Sequence, residues 1–96
     1  MRKKPQPKLS RREQQDLMDK AVLQNLAKVD YARWTELEKR VLRINEEFVS
    51  SHRFRLRMKY LLERGLIERI NKGVYRITDA GRKYLEVLKM IYEKRS

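Results

Sequence analysis

The chain has 96 residues, with 25 lysines and arginines against 13 acids, a formal charge of +12 and no cysteine. This length suits one domain with a modest core. The lack of cysteine excludes disulfides, thiolate catalysis and zinc fingers. No apolar run approaches the ~20 residues of a membrane span. A strongly positive chain is attracted to nucleic acid or anionic lipid, and without an apolar anchor we expect nucleic acid and no membrane partner.

The first residues predict a basic arm followed by a helix. Residues 1–12 carry six bases and no acid, with prolines at positions 5 and 7. Like charges repel and proline blocks helix, so we expect a disordered arm over residues 1–10 and a folded domain over residues 11–95. Ser10 and Glu13 form an S-x-x-E capping box. Apolar residues recur at threes and fours from there, which predicts a first helix over residues 11–28.

Residues 30–33 break this pattern and predict a loop, or a short lone strand that pairs with a later hairpin. Thr35 and Glu38 form a second capping box, and an apolar face follows, so we predict a second helix over residues 36–44. A polar break at residues 45–47 precedes Phe48 and Val49. Two apolar residues in such a turn are typical of a helix–helix corner that plugs into the core.

The next segment predicts a helix, a glycine stop and a hairpin. Ser50 or Ser51 caps the third helix, and its apolar residues Phe54, Met58, Leu61 and Leu62 lie within one sector at about 100° per residue. Gly65 supplies the left-handed residue that ends it. Strands over residues 66–70 and 74–78 flank a three-residue turn in which Gly73 takes positive φ. Thr78 or Asp79 caps a last helix over residues 80–94.

This order is the ground plan of a winged helix-turn-helix: mainly α, with a three-helix core, a two-stranded wing and a C-terminal helix. The helical projection places Arg53, Leu56, Lys59 and Tyr60 outward, with Arg55 and Arg57 on the flanks. An α-helix fits the major groove, where arginine bonds both guanine acceptors and an apolar side chain meets the thymine methyl. The alternative is a solvent-exposed charged face without a ligand. Such a face is usually held by ion pairs along the helix, and no acid lies between His52 and Lys59 to pair with the basic residues.

We therefore predict a DNA-binding surface built from the third helix, the wing and the arm. The residues expected in it are Ser50, Ser51, His52, Arg53, Arg55, Leu56, Arg57 and Lys59 from the helix, Arg69, Asn71, Lys72 and Arg76 from the wing, and Arg2, Lys3 and Lys4 from the arm.

No catalytic constellation is visible in the sequence. His52 is the only histidine, so a metal site of ordinary type would be incomplete, and nothing supplies a base beside an activated serine. There is no glycine-rich phosphate loop. We expect no enzyme activity, no metal and no cofactor.

Residues 54–68 (FRLRMKYLLERGLIE) and 74–82 (VYRITDAGR) resemble the archaeal winged-helix transcriptional regulators. Those proteins carry a recognition helix that ends in a leucine–acid–base–Gly-Leu-Ile signature, and a second wing strand that runs into Thr-acid-x-Gly-Arg. The resemblance covers residues 49–88 and marks the fold better than the biological role. It implies double-stranded DNA as ligand and often a homodimer.

Some relatives of that family, the small archaeal chromatin proteins, dimerise through a long antiparallel C-terminal coiled coil. The last helix here has only about four turns, too short for such a rod. Two arrangements stay open: packing of this helix onto the chain's own first helix, and a compact dimer through Leu85, Leu88, Ile91 and Tyr92.

The leading hypothesis is a cytoplasmic, nucleoid-located transcription regulator or nucleoid-associated protein that binds duplex DNA. One alternative is an RNA-binding or ribosome-associated module, since basic arms also thread through structured RNA. The other is a winged helix used as a protein adaptor in a polymerase or replication assembly, with Leu56 and Tyr60 as anchors on an acidic partner.

Overall fold

Four helices and a three-stranded antiparallel sheet form the part of the chain that the structure describes. The structure is a computed structural model, and it describes residues 9–44 and 47–93. The elements in chain order are α1 (Arg11–Ala27), β1 (Ala32–Arg33), α2 (Trp34–Leu42), α3 (Ser51–Glu63), β2 (Ile67–Asn71), β3 (Val74–Ile77) and α4 (Asp79–Tyr92). The prediction of a mainly helical chain with a small antiparallel sheet is confirmed. The arm residues Arg2, Lys3 and Lys4 lie outside the described residues.

Three helices begin at the predicted side-chain caps. Ser10 and Glu13 form both bonds of the capping box of α1. Ser50 accepts the N–H of Arg53 at 3.2 Å and caps α3, and Thr78 accepts the N–H of Gly81 at 3.0 Å and caps α4. Each hydroxyl satisfies one of the N–H groups that a helix leaves unpaired at its start.

Helix α2 departs from the prediction. It begins at Trp34 and ends at Leu42, with Arg33 as N-cap and no side-chain cap bond, so the predicted Thr35–Glu38 capping box was wrong. The Trp34 N–H instead donates to the Gly73 carbonyl at 2.9 Å, and the indole packs edge-on against Phe54 with ring centroids 5.1 Å apart. Tertiary contacts at the hairpin therefore set the start of this helix.

Strand β3 lies in the middle of the sheet, between β1 and β2. The predicted lone strand is confirmed, because β1 pairs with β3 at Ala32↔Tyr75. Strand β2 pairs with β3 at Ile67↔Ile77, and the register shifts between Arg69 and Asn71. This irregularity lies next to the turn, where Gly73 has φ 69° as expected.

The core lies between the helices and one face of the sheet. It includes Val22 and Leu26 of α1, Phe54 and Met58 of α3, and Leu88 of α4. The predicted corner is confirmed, since Val49 is buried and Phe48 packs against the core. No helix in the described ranges is long and apolar enough to cross a membrane.

Helix α4 starts with a close backbone approach at Gly81. A Cβ atom at this position would lie 2.0 Å from the Leu66 carbonyl oxygen and 2.8 Å from Cγ1 of Ile77. The Leu66 oxygen also accepts the Thr78 N–H at 3.1 Å, so it is held in place. Only glycine fits where α4 leaves the sheet.

Candidate nucleic-acid interface

One side of α3 points to solvent and carries His52, Arg55, Leu56 and Lys59, a set of residues called the outer strip below. Leu56 is 49% exposed. Within residues 9–44 and 47–93, no ion pair engages Arg55 or Lys59. The outer strip therefore presents positive charge that no acid of the described chain neutralises.

The adjoining side of α3 packs against α1 and carries Arg53, Arg57 and Tyr60, called the seam strip below. Arg57 donates from Nε to Oδ1 of Asp19 at 2.8 Å and from Nη2 to Oδ2 at 2.7 Å. Asp19 is fully buried, and the Arg57 side chain is only 14% exposed. The guanidinium carbon also lies 4.2 Å from the centre of the Tyr60 ring. This bidentate, stacked geometry is one that arginine makes and lysine cannot.

The environment acts on both members of the Asp19–Arg57 pair. Burial raises the pKa of Asp19, and the hydrogen bonds and charge of Arg57 act against that rise. The bond to Asp19 raises the pKa of Arg57, so its guanidinium stays charged. A buried charge needs a partner in low dielectric. Two of the three guanidinium nitrogens of Arg57 are thus committed to Asp19, and this carboxylate balances its charge.

Arg53 also points toward α1, so the predicted outward direction of this side chain was wrong. Its Nη1 donates to Oε1 of Gln14 at 2.8 Å and to the carbonyl of Phe48 at 3.2 Å. Tyr60, likewise expected outward, is half-buried under Arg57. The helical projection gave the correct positions of these residues around the axis of α3. It could not show that α1 packs against that side of the helix.

Asp19 is the residue that sequence reasoning missed. It follows the buried Met18 and precedes the buried Ala21 and Val22, so it lies on the apolar side of α1. An acid in such a position is rarely buried without a partner. An acid among the apolar positions of α1 was the available signal that a cation from another element would pair with it. Nothing in the sequence pointed to Arg57 in particular.

The start of α3 offers fewer free groups than its sequence suggested. The Ser50 hydroxyl accepts the Arg53 N–H and so serves as the cap. Ser51 and His52 are both exposed in the first turn.

The hairpin presents a mixture of free and engaged polar groups. Lys72 is exposed at the turn, and its N–H donates to Oδ1 of Asn71 at 2.7 Å. Arg69 donates from Nε to the carbonyl of Asn71 at 3.4 Å. Arg76 forms a cross-strand ion pair with Glu68. Lys72 is thus the clearest cation at the tip, while Arg76 is paired with Glu68 within the hairpin.

Helix α4 packs on α1, the first of the two arrangements that the sequence left open. Leu85 and Leu88 are buried in the chain's own core, so these two side chains do not face a second copy. The Tyr92 hydroxyl donates to Oδ2 of Asp16 at 2.7 Å, and Lys20 pairs with Glu93 at 2.7 Å. Of the predicted dimer residues, only Ile91 is exposed, at 56%.

In the ranges that the structure describes, no group of three histidines or acids is placed to hold a metal ion.

The chain was compared with protein-family models, curated proteins and solved structures. No family model, no curated protein and no solved structure matches it.

Proposed function

We propose that this chain is a winged helix-turn-helix protein that binds duplex DNA, with α3 in the major groove and the β2–β3 hairpin on the flanking backbone. The observation that carries the proposal is the unneutralised positive charge of the outer strip. Support also comes from the order of elements, in which two helices joined by a corner precede a short antiparallel hairpin. The formal charge of +12 attracts a polyanion over a longer range.

The chemistry of the outer strip suits contacts inside a groove. The Arg55 guanidinium bonds no other residue in the described part of the chain, so it suits two guanine acceptors or a phosphate, and Lys59 is one turn further along the same side. Leu56 lies between them and suits the methyl group of thymine. Since Arg53 and Arg57 are engaged with α1, base reading falls to His52, Arg55 and Leu56, near the start of the helix.

The remaining contacts in this proposal are to the phosphate backbone. Lys72 and Arg69 on the hairpin, and Arg2, Lys3 and Lys4 in the arm, neutralise phosphates without reading sequence. Few base-reading side chains and many backbone cations describe modest sequence specificity. We therefore place the protein in the cytoplasmic nucleoid, as a small transcription regulator or a nucleoid-associated protein.

The proposal is tested by fluorescence anisotropy on a labelled duplex over a range of salt concentrations. If about six phosphates are neutralised, log K falls against log salt with a slope of about −5. A slope near zero would refute DNA binding. A structured RNA that displaces the duplex at equal nucleotide concentration would move the proposal to RNA. Absence of any nucleic-acid binding at moderate salt would favour the protein adaptor.

Selection of bound fragments from random duplexes then measures specificity and symmetry together. A dimer that reads two half-sites returns a palindrome, whereas a monomer returns a single short site. Fragments without a shared sequence indicate an architectural, nucleoid-type role.

A further inference from the structure

A groove of about 320 Å³ runs between the first turns of α1 and the first half of α3. Its volume is at the lower end of the range that small-molecule sites occupy. The side chains that line it include two apolar ones and four basic ones: Met18, Leu56, Arg11, His52, Arg53 and Arg57. No acid is among its described lining residues, so the groove is basic at its sides and apolar in part of its surface.

Two of the bases are held in place before any ligand arrives. Arg53 is fixed by Gln14 and the carbonyl of Phe48 through Nη1, and Arg57 is fixed by Asp19 through Nε and Nη2. The bonds among the described residues leave Nη2 of Arg53 and Nη1 of Arg57 for another acceptor. A cation that is already immobilised loses little entropy when it binds an anion.

The apolar part of the groove sets the second requirement for an occupant. Met18 is only 2% exposed and Leu56 is 49% exposed, so the groove joins a buried thioether to an open aliphatic side chain. A bare inorganic anion would satisfy the guanidinium groups and leave the exposed part of Leu56, beside the small exposed edge of Met18, in water. A ligand with an anionic head and an apolar body covers both.

We infer that the groove between α1 and α3 binds a small organic carboxylate with an aliphatic or aromatic body. The carboxylate contacts the free guanidinium nitrogens of Arg53 and Arg57, with Arg11 at the rim. The apolar body lies on Leu56 and Met18. His52 lines the same groove, so the surroundings of its imidazole change when a ligand binds.

This site has a regulatory consequence that rests on the proposed DNA binding. His52 and Leu56 belong both to the groove and to the outer strip. A carboxylate bound there adds negative charge to the DNA-facing surface and covers Leu56. It therefore competes with duplex DNA and acts as an effector that releases it.

The site itself is tested without DNA, by proton NMR on the full chain. His52 is the only histidine, so its imidazole protons give one set of signals that reports on the groove. The probe is hexanoate at constant pH and ionic strength. Hexylamine has a similar body with the opposite charge, and sulfate has charge without a body. We expect a saturable shift of the His52 signals with hexanoate, none with hexylamine and a weaker response to sulfate.

Two charge reversals on α1 locate the site. Arg11→Glu changes a residue that lines the groove, and Arg12→Glu makes the same change in net charge at its neighbour, which does not line it. We expect Arg11→Glu to weaken hexanoate binding by about fivefold, the effect of losing one partly exposed ion pair, and Arg12→Glu to have little effect. Circular dichroism checks that both variants remain helical.

Several results would overturn the inference. A His52 shift that does not saturate, or equal responses to sulfate and hexanoate, would show that no organic carboxylate site exists. Equal weakening by Arg11→Glu and Arg12→Glu would show that net charge alone acts. If hexanoate binds but does not displace a duplex that the protein holds, the effector role fails and the site stands. If the protein binds no duplex, only the proposed function fails, because the NMR titration does not depend on it.

Discussion

Arg55 and Arg57 are two residues apart on α3, and their guanidinium groups meet opposite surroundings. Arg55 is exposed and has no ion pair among the described residues, whereas the Arg57 side chain is 14% exposed and bonds the buried Asp19 through two nitrogens. The acid that makes the difference lies 38 residues away in sequence, on α1. A run of bases along a helix therefore overstates the charge that the helix offers to a ligand.

The seam strip contributes to folding, whereas the outer strip carries the proposed DNA binding. The seam strip places cations where water is scarce, and protein groups satisfy them: Asp19 pairs with Arg57, and Gln14 and the Phe48 carbonyl bond Arg53. The outer strip leaves cations in water, where an unpaired charge costs little and remains free for phosphate. This division predicts that substitutions in the two strips have different effects on stability and on DNA binding.

The largest effect is expected from Asp19→Asn. This change removes the carboxylate charge and leaves the Arg57 guanidinium without its ionised partner. Breaking one side of a buried pair costs about 3–5 kcal/mol of unfolding free energy, and the residual exposure of Arg57 places the expected value at the lower end. Urea unfolding followed by far-ultraviolet circular dichroism measures the loss. A change within about 0.5 kcal/mol, typical of a surface site, would contradict the buried-pair interpretation.

The double variant Asp19→Leu with Arg57→Met is the matched control. It replaces both charges with apolar groups of similar size, and such a replacement is often neutral or stabilising. Gly81→Ala is a second control, because its Cβ would meet the Leu66 carbonyl at 2.0 Å and overpacking costs about 1–3 kcal/mol. Gly81 belongs to neither strip. It therefore shows how DNA binding responds to lost stability alone.

A smaller effect, on affinity rather than stability, is expected from Arg55→Ala and Lys59→Ala. Each removes an exposed cation, so each should lower the salt slope of duplex binding by about 1 if it contacts a phosphate. Their unfolding free energies should stay within about 0.5 kcal/mol of the parent value. Fluorescence anisotropy across salt concentrations measures the slope.

The Asp19→Leu, Arg57→Met variant is the control for these substitutions, because it also removes a cation from α3. It should keep the parent slope, because Arg57 is committed to Asp19. If this variant lowers the slope as much as Arg55→Ala does, the pair must open to give Arg57 to the DNA. The contrast between the strips would then hold only in the free protein.

The sequence was sufficient for features that depend on neighbours in the chain. The caps at Ser10, Ser50 and Thr78 were predicted because a hydroxyl bonds an N–H three residues away. The start of α2 was not, because Trp34 is held by the hairpin carbonyl of Gly73. A helical projection also gives the direction of Arg53 around α3, but not that Gln14 of α1 covers that direction. The errors fall where a partner from another element decides the outcome.

The smallest effect is expected at Asp16, which lies three residues before Asp19 on a neighbouring part of α1 and meets α4 as Asp19 meets α3. Here the partner is the hydroxyl of Tyr92, and burial together with the bond to Asp16 raises the pKa of this tyrosine to about 12. The unfolded chain releases the same proton at a pH of roughly 10. Because the folded state holds the proton more tightly, the contribution of Tyr92 is fully present below about pH 10 and is lost as pH rises toward 12.

Tyr92→Phe isolates that contribution from other effects of alkaline pH, because the two chains differ only in this hydroxyl. The variant should be about 1 kcal/mol less stable than the parent near neutral pH, since it loses one partly exposed bond to a carboxylate. Urea midpoints of both chains, measured from neutral to strongly alkaline pH, should converge as Tyr92 ionises in the parent. No difference near neutral pH would mean that packing of the ring, which phenylalanine keeps, rather than the bond to Asp16, holds the end of α4. The neutral donor of Tyr92 would then contribute little to stability through Asp16, in contrast to the larger contribution expected from the charged Arg57 donor to the buried Asp19.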